Sequence, residues 1–296
     1  MPIRHNSRSE TCLINQRRYH VRHWGPADAP LLVLLHGWMD CSATFQFTVD
    51  ALQHEWHVLA PDWRGFGHSQ WNDGSYYFPD YLADLDALLA RYSDNQPVRL
   101  VGHSMGAMIA GIYAGVRPER IAQLALVEGF GLSQTQPEEA PGRYARWLKE
   151  TACTPAFNPI RDLPQVAAKL MERSPHLSLP RAQWLAQQLT RPDGAQQLAY
   201  LADPRHKMVN PVLYRLEEAK ACWRRIQAPV LWVIGGDMLE HPMAKGVFDT
   251  LDERRACFPQ RKEVVIAQAG HMVQWDQPQR LAETLETFFL ATTTTK

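Results

Sequence analysis

A serine hydroxyl attacks a carbonyl only when the backbone holds it out and a neighbouring base takes its proton. The stretch "PVRLVGHSMGAMIAGIYAG", residues 97–115, has the residue types for the first condition. Ser104 has Gly102 and Gly106 two places to either side, so the chain around it can bend sharply. Val98–Val101 is a short apolar run suited to a buried strand, and Met105, Met108, Ile109, Ile112 and Val116 recur at helical spacing. Strand, tight turn and helix with a serine at the apex expose a hydroxyl. The plain alternative is a glycine-rich turn with an incidental serine. His271 in "AQAGHMVQWDQP" is the favoured base, because a strand-like run and a glycine precede it and a loop can carry the ring over the strand ends. His103 adjoins Ser104 but leaves a strand, which points its side chain away, and His5, His20, His23, His54, His57, His176 and His206 read as surface or packing. The oxyanion formed on attack needs fixed N–H donors. Gly37 in "LLVLLHGWMDCSATF" lets the Trp38 N–H turn toward such a site, the Met105 N–H follows the serine, and His36 reads as a brace for the loop.

Short apolar runs and helical patterns alternate along the chain. Residues 19–24, 31–36, 57–62, 98–103, 124–128, 229–234 and 263–267 read as strands, and 44–53, 80–92, 105–117 and 278–290 as helices. That alternation predicts an α/β fold, a mostly parallel sheet with helices on both faces. From about 132 to 222 the rhythm breaks into amphipathic pieces separated by prolines, with no convincing strand. The expectation is a core of residues 1–131 and 223–296 and an inserted helical cap at 132–222, against the alternative of ordinary sheet-covering helices. Ten tryptophans suggest an aromatic-lined cavity. Trp147, Trp184, Leu185 and Leu189 are candidates for its wall, or else simply the core of the cap.

Composition narrows the partners. With 296 residues and a formal charge of zero, neither nucleic acid nor an anionic membrane is an expected partner. Five cysteines (Cys12, Cys41, Cys153, Cys222, Cys257) without paired spacing suit reduced thiols and a cytoplasmic location. The start "MPIRHNSRSE" lacks the apolar core of a signal peptide, and no stretch approaches the roughly 20 apolar residues of a membrane span. No Cys or His spacing suggests a metal, and no cofactor is expected.

Four motifs in order, "LLHGW", "PDWRGFGHS", "VGHSMGAM" and "AGHMVQWDQP", resemble the α/β-hydrolase family, specifically its capped, carboxylesterase-like serine hydrolases. The resemblance spans nearly the whole chain and implies the α/β-hydrolase fold with an inserted cap. It also implies a Ser-acid-His triad in that chain order, with Ser104 and His271 in the outer places and Trp38 and Met105 as oxyanion donors. Asp62–Ser69 resembles the family's loop after its fourth strand and receives no chemical role. The acid departs from the pattern. In "GGDMLEHP" the family's usual acid position holds Met238, with Asp237 one residue early. The other known location follows the sixth strand, where Glu128 ends the run "LALVE". A carboxylate there is costly to bury without a partner, and an imidazolium at His271 would be one. Glu128 is therefore preferred, Asp237 is the alternative acid and Glu240 stands third. A helix cap, a loop brace or a pocket polar group is the non-catalytic reading of each.

A serine rather than an aspartate at the turn implies an acyl-enzyme, unlike the alkyl-enzyme of haloalkane dehalogenases and epoxide hydrolases. The expected activity is hydrolysis of a small-molecule carboxylic ester. A C–C bond hydrolase of ring-cleavage products is the alternative, for which Arg143, Arg146 or Arg181 would meet a substrate carboxylate. A perhydrolase or acyltransferase needs only a different acceptor, and a silent binding module is the reading outside enzymes.

Overall fold

The computed structural model describes residues 3–194, 197–240 and 245–291, the side chains of 240 and 245 excepted. Among them an eight-stranded sheet runs in the order β1-β2-β4-β3-β5-β6-β9-β10. Its strands are β1 (Arg8–Ile14), β2 (Arg17–Trp24), β3 (Leu31–Leu35), β4 (His57–Pro61), β5 (Val98–His103), β6 (Ile121–Val127), β9 (Val230–Gly235) and β10 (Arg261–Ile266). All neighbours from β4 to β10 are parallel, and β2 is antiparallel to both β1 and β4. The central strands are near-continuous apolar runs because helices cover both their faces. Alternate residues of β3 show the division: Val33 and Leu35 enter one core, Leu32 and Leu34 the other. The first core packs under α2 (Phe78–Tyr92), α3 (Met105–Val116) and α7 (Leu216–Trp223), the second under α1 (Gln46–Val49) and α11 (Pro278–Phe289).

Strand β1 was not expected from the sequence. "RSETCLI" is a half-buried edge strand in which only Cys12 and Ile14 are fully buried, so its apolar signal is faint. It joins β2 through Asn15 and Gln16, both with positive φ (47° and 63°), as a tight hairpin requires. The helix expected over 44–53 is also shorter. A 3₁₀ turn at Ser42–Phe45 precedes the single turn of α1.

Between β6 and β9 lie α4 (Ala140–Ala152), α5 (Leu163–Arg173), α6 (Leu179–Leu189), a hairpin of β7 (Thr190–Pro192) and β8 (Leu198–Tyr200), and α7. The two three-residue strands fall where no strand was expected, being too short for a period-2 pattern to show. The expected boundary at 222/223 falls inside α7, whose Leu216, Ala219 and Trp223 pack in the sheet core. Helices α5 and α6 build a third apolar cluster with Cys41, Phe47, Met272 and Trp275, so this stretch rests on the segments that follow β3 and β10. Leu185 and Leu189 are buried there, and Trp184 packs edge-on against Phe47 at 5.1 Å. Among the described residues no helix is long and apolar enough to cross a membrane.

Candidate active site

Ser104 follows β5 directly and precedes α3, with φ 51° and ψ −116°. A side chain with φ in this region is strained, and the surroundings enforce it. A Cβ at Gly106 would lie 2.3 Å from the Leu35 carbonyl oxygen, and one at Gly102 2.5 Å from Ala107 Cα. Only glycine at both places lets α3 start so close to β3 and β5. The bent backbone points the Ser104 Oγ at His271 Nε2, 2.9 Å away.

His271 lies in the loop between β10 and α10 (Val273–Asp276). Its Nδ1 is 3.2 Å from Glu128 Oε2. The other Glu128 oxygen accepts the Gly235 N–H at 2.7 Å. An ionised carboxylate only accepts, so this arrangement calls for the proton on His271 Nδ1 and leaves Nε2 to accept from the serine. Glu128 directly follows β6 and also has φ 51°. Sequence expectation and geometry diverge at Asp237. It stands in a 3₁₀ turn after β9 and bonds His176 Nε2 at 2.7 Å instead. Its side chain is 45% exposed against 4% for Glu128. The structure brings Ser104, His271 and Glu128 together and leaves Asp237 outside the group. The side chain of Glu240 lies outside the described residues.

The loop after β3 passes over the serine, where a Cβ at Gly37 would lie 3.0 Å from Ser104 Cβ. His36 braces that loop. Its Nε2 accepts the Trp63 N–H at 2.9 Å, so Nδ1 carries the proton and donates to the Gly37 carbonyl at 2.8 Å. Burial pushes the His36 pKa down to about 4, which keeps this brace neutral. The Met105 N–H is one of the unpaired donors at the start of α3. Among the described residues neither it nor the Trp38 N–H meets a backbone acceptor.

His103 has a part that its sequence position did not suggest. Its Nε2–H donates to the His271 carbonyl at 2.8 Å while Nδ1 accepts from Gln274 Nε2 at 3.1 Å. Burial and the neighbouring His271 push its pKa down to about 3, so the ring is a neutral latch between β5 and the His271 loop. Asp276 secures the same loop by accepting the Gly270 N–H at 2.9 Å. His103, Gln274 and Asp276 are all buried, and polar groups inside a core need partners, but the sequence by itself does not show that burial.

A cavity of about 440 Å³ opens at Ser104, with Trp38, Met105, Tyr76, Trp147 and His206 in its wall. His206 stacks between Phe66 (3.8 Å) and Tyr76 (3.7 Å), and burial pushes its pKa down to about 3. Of the four expected wall residues, only Trp147 lines this cavity; Trp184, Leu185 and Leu189 belong to the third apolar cluster. A larger surface groove, beside Phe47, Asp50 and Glu283, holds none of these site residues. No group of three His, Cys, Asp or Glu among the described residues is placed to hold a metal ion.

The family model described as alpha/beta hydrolase fold matches residues 30–278. A serine hydrolase-like protein of Danio rerio is 23% identical over 275 residues, covering 90% of this chain and 83% of that protein. Serine hydrolase-like protein 2 of Homo sapiens is 23% identical over 294 residues, covering 92% and 90%. Among solved structures, the thioesterase domain from the curacin biosynthetic pathway superposes with a TM-score of 0.81 at 26% identity, covering 95% of this chain and 99% of that one. With the sheet order, the helices on both faces and a match over most of its length, the chain belongs to the α/β-hydrolase family.

Proposed function

We propose that the protein is a serine hydrolase that cleaves small carboxylic esters through an acyl-enzyme on Ser104. The observation that carries this reading is the unbroken chain from Ser104 Oγ through both ring nitrogens of His271 to a buried carboxylate. In the first half-reaction Oγ attacks the ester carbonyl while His271 Nε2 takes its proton. Glu128 stabilises the imidazolium that forms and holds its orientation. The Trp38 and Met105 N–H groups receive the developing oxyanion. His271 then protonates the departing alcohol. In the second half-reaction His271 activates water, which attacks the acyl-enzyme and frees Ser104.

The relatives named serine hydrolase-like proteins support the class, and the similarity to a thioesterase domain favours acyl transfer at this site. Residues 132–222 act in this reading as the cap over the cavity, and the free cysteines suit a cytoplasmic location. The arginines that a C–C bond hydrolase would aim at a substrate carboxylate are engaged elsewhere. Arg146 pairs with Glu150 at 2.6 Å, Arg181 donates to the Trp275 carbonyl at 3.2 Å, and Arg143 donates to the Asn210 carbonyl at 3.1 Å. Arg205, which does line the cavity, is paired with the buried Asp203 at 3.2 Å.

A fluorophosphonate probe and a p-nitrophenyl ester test the reading. The wild type is expected to be labelled and active, and Ser104→Ala to lose labelling and at least about a thousandfold in kcat. Turnover by Ser104→Ala close to that of the wild type refutes the proposal.

A further inference from the structure

We propose that the substrate carries a long uncharged chain, that its far end occupies a second chamber beyond the Ser104 cavity, and that Met108 sets the length admitted. This rests on the serine hydrolase reading above and extends it to a substrate class. The second chamber has a volume of about 400 Å³ and shares Phe78, Met108, Leu132 and Asn210 with the first. These four residues are therefore a common partition.

Met108 is the part of the partition most suited to a gate. It stands one helical turn from the nucleophile, and its N–H donates to the Ser104 carbonyl at 3.0 Å, which fixes its backbone relative to the reacting atoms. Its side chain is unbranched with three rotatable bonds, so it can swing aside without moving the helix. Leu132 completes the contrast. Arg254 donates to its carbonyl at 2.9 Å and so pins the backbone, while the side chain stays largely exposed.

Volume and charge decide what the chamber takes. At roughly 30 Å³ per water-sized group, 440 Å³ holds about fifteen non-hydrogen groups, about as many as undecyl acetate carries. A longer chain must cross the partition. The two arginines lining the second chamber already face carboxylates, Arg143 toward Glu139 at 3.8 Å and Arg215 toward Glu218 at 3.5 Å. Among the described residues no uncompensated cation waits there for an anionic tail, while Ile112, Val212 and Leu213 offer apolar wall.

Two substrate series test this: p-nitrophenyl esters from butanoate to hexadecanoate, and straight-chain alkyl acetates over the same lengths. In one series kcat/KM is expected to keep rising past about eleven carbons by about fourfold per methylene, the equivalent of about 0.8 kcal/mol per buried CH₂. The series that rises shows whether the acyl or the alcohol part enters the chamber. The hexadecyl-to-butyl ratio of kcat/KM, in which a general loss of activity cancels, is expected to fall at least tenfold in Met108→Trp and in Ile112→Trp, and to rise in Met108→Ala. Hexadecanol is expected to raise the Tm of Ser104→Ala but not that of Ser104→Ala/Ile112→Trp, which probes the chamber without catalysis. A flat or falling response beyond about eleven carbons in both series, or a ratio unchanged in folded Ile112→Trp, overturns the chamber. Stabilisation by hexadecanol in a protein whose Ser104 no probe labels would instead overturn the hydrolase reading and leave the chamber standing.

Discussion

Ser104 and Glu128 stand at equivalent places on neighbouring strands, and this equivalence brings them to one histidine. In the β5–β6 register His103 pairs with Val127, and the ladder continues through Ser104 N–H to the Val127 carbonyl at 2.9 Å and Glu128 N–H to the Val233 carbonyl at 3.0 Å. Each chain then turns into positive φ and lifts its side chain off the carboxyl end of the sheet, where ligands bind in open α/β sheets. Removing the Glu128 carboxylate leaves His271 without a partner for Nδ1. Glu128→Ala is therefore expected to lower kcat by about 10³- to 10⁴-fold on a p-nitrophenyl ester. Asp237→Ala, which among the described residues breaks only a half-exposed contact with His176, is expected to stay within about threefold of wild type. Reversed results in that assay would transfer the acid's role to Asp237.

At the scale of elements, the loop after β4 acts as the fastening for the Trp38 side of the site. Asp62 Oδ1 accepts the Ser42 N–H at 2.7 Å, and Oδ2 accepts from the His68 N–H at 2.9 Å and meets His20 Nδ1 at 2.8 Å. One carboxylate thus joins β2, β4 and the segment following Trp38. A Cβ at Gly67 would lie 2.2 Å from that carboxylate, and its φ of 52° suits glycine. Burial alone would raise the Asp62 pKa, but its hydrogen bond to His20 and their charge interaction outweigh it and hold the group well below the usual carboxylate range. Asp62→Asn keeps the shape and loses the charge, so urea unfolding is expected to show a loss of about 3 kcal/mol. A change under about 0.5 kcal/mol would mean that the fastening is unimportant. The sequence places Asp62 beside a motif loop, but the three elements that it joins are adjacent only in the folded sheet.

For the whole molecule, two nearby buried carboxylates act on stability with opposite sign. Burial pushes the Asp40 pKa up to about 7, an effect only partly offset by the hydrogen bonds that it accepts, including the Cys41 N–H at 2.8 Å. The folded state then holds a proton that the unfolded chain releases near pH 4, so stability from this group is full below that pH and is lost as pH rises through about 7. Asp62, with its lowered pKa, contributes stability above the ordinary carboxylate range that is lost as acid protonates the folded state. Asp40→Asn is expected to abolish the decline between about pH 5 and pH 7.5, a difference on the order of a few kcal/mol across the window. Parallel denaturant curves for wild type and Asp40→Asn over that range measure it, and identical pH slopes would count against a protonated Asp40.

Local chemistry made part of this legible in the sequence. Glycine spacing around Ser104, apolar runs alternating with helical periods, and a glycine before His271 are all features of short stretches, so the parallel sheet and the serine and histidine candidates could be read from them. The weakly apolar β1 and the three-residue strands β7 and β8 carried too little pattern. Which carboxylate meets His271 was decided only by the tertiary structure, because Glu128 and Asp237 both follow strand-like runs. Strand register and a positive φ carry Glu128 to Nδ1, whereas a 3₁₀ turn carries Asp237 to His176. The sequence named Trp147 for the cavity wall but could not separate it from Trp184, Leu185 and Leu189, since an apolar residue on an amphipathic helix looks the same whether it faces a cavity or another helix.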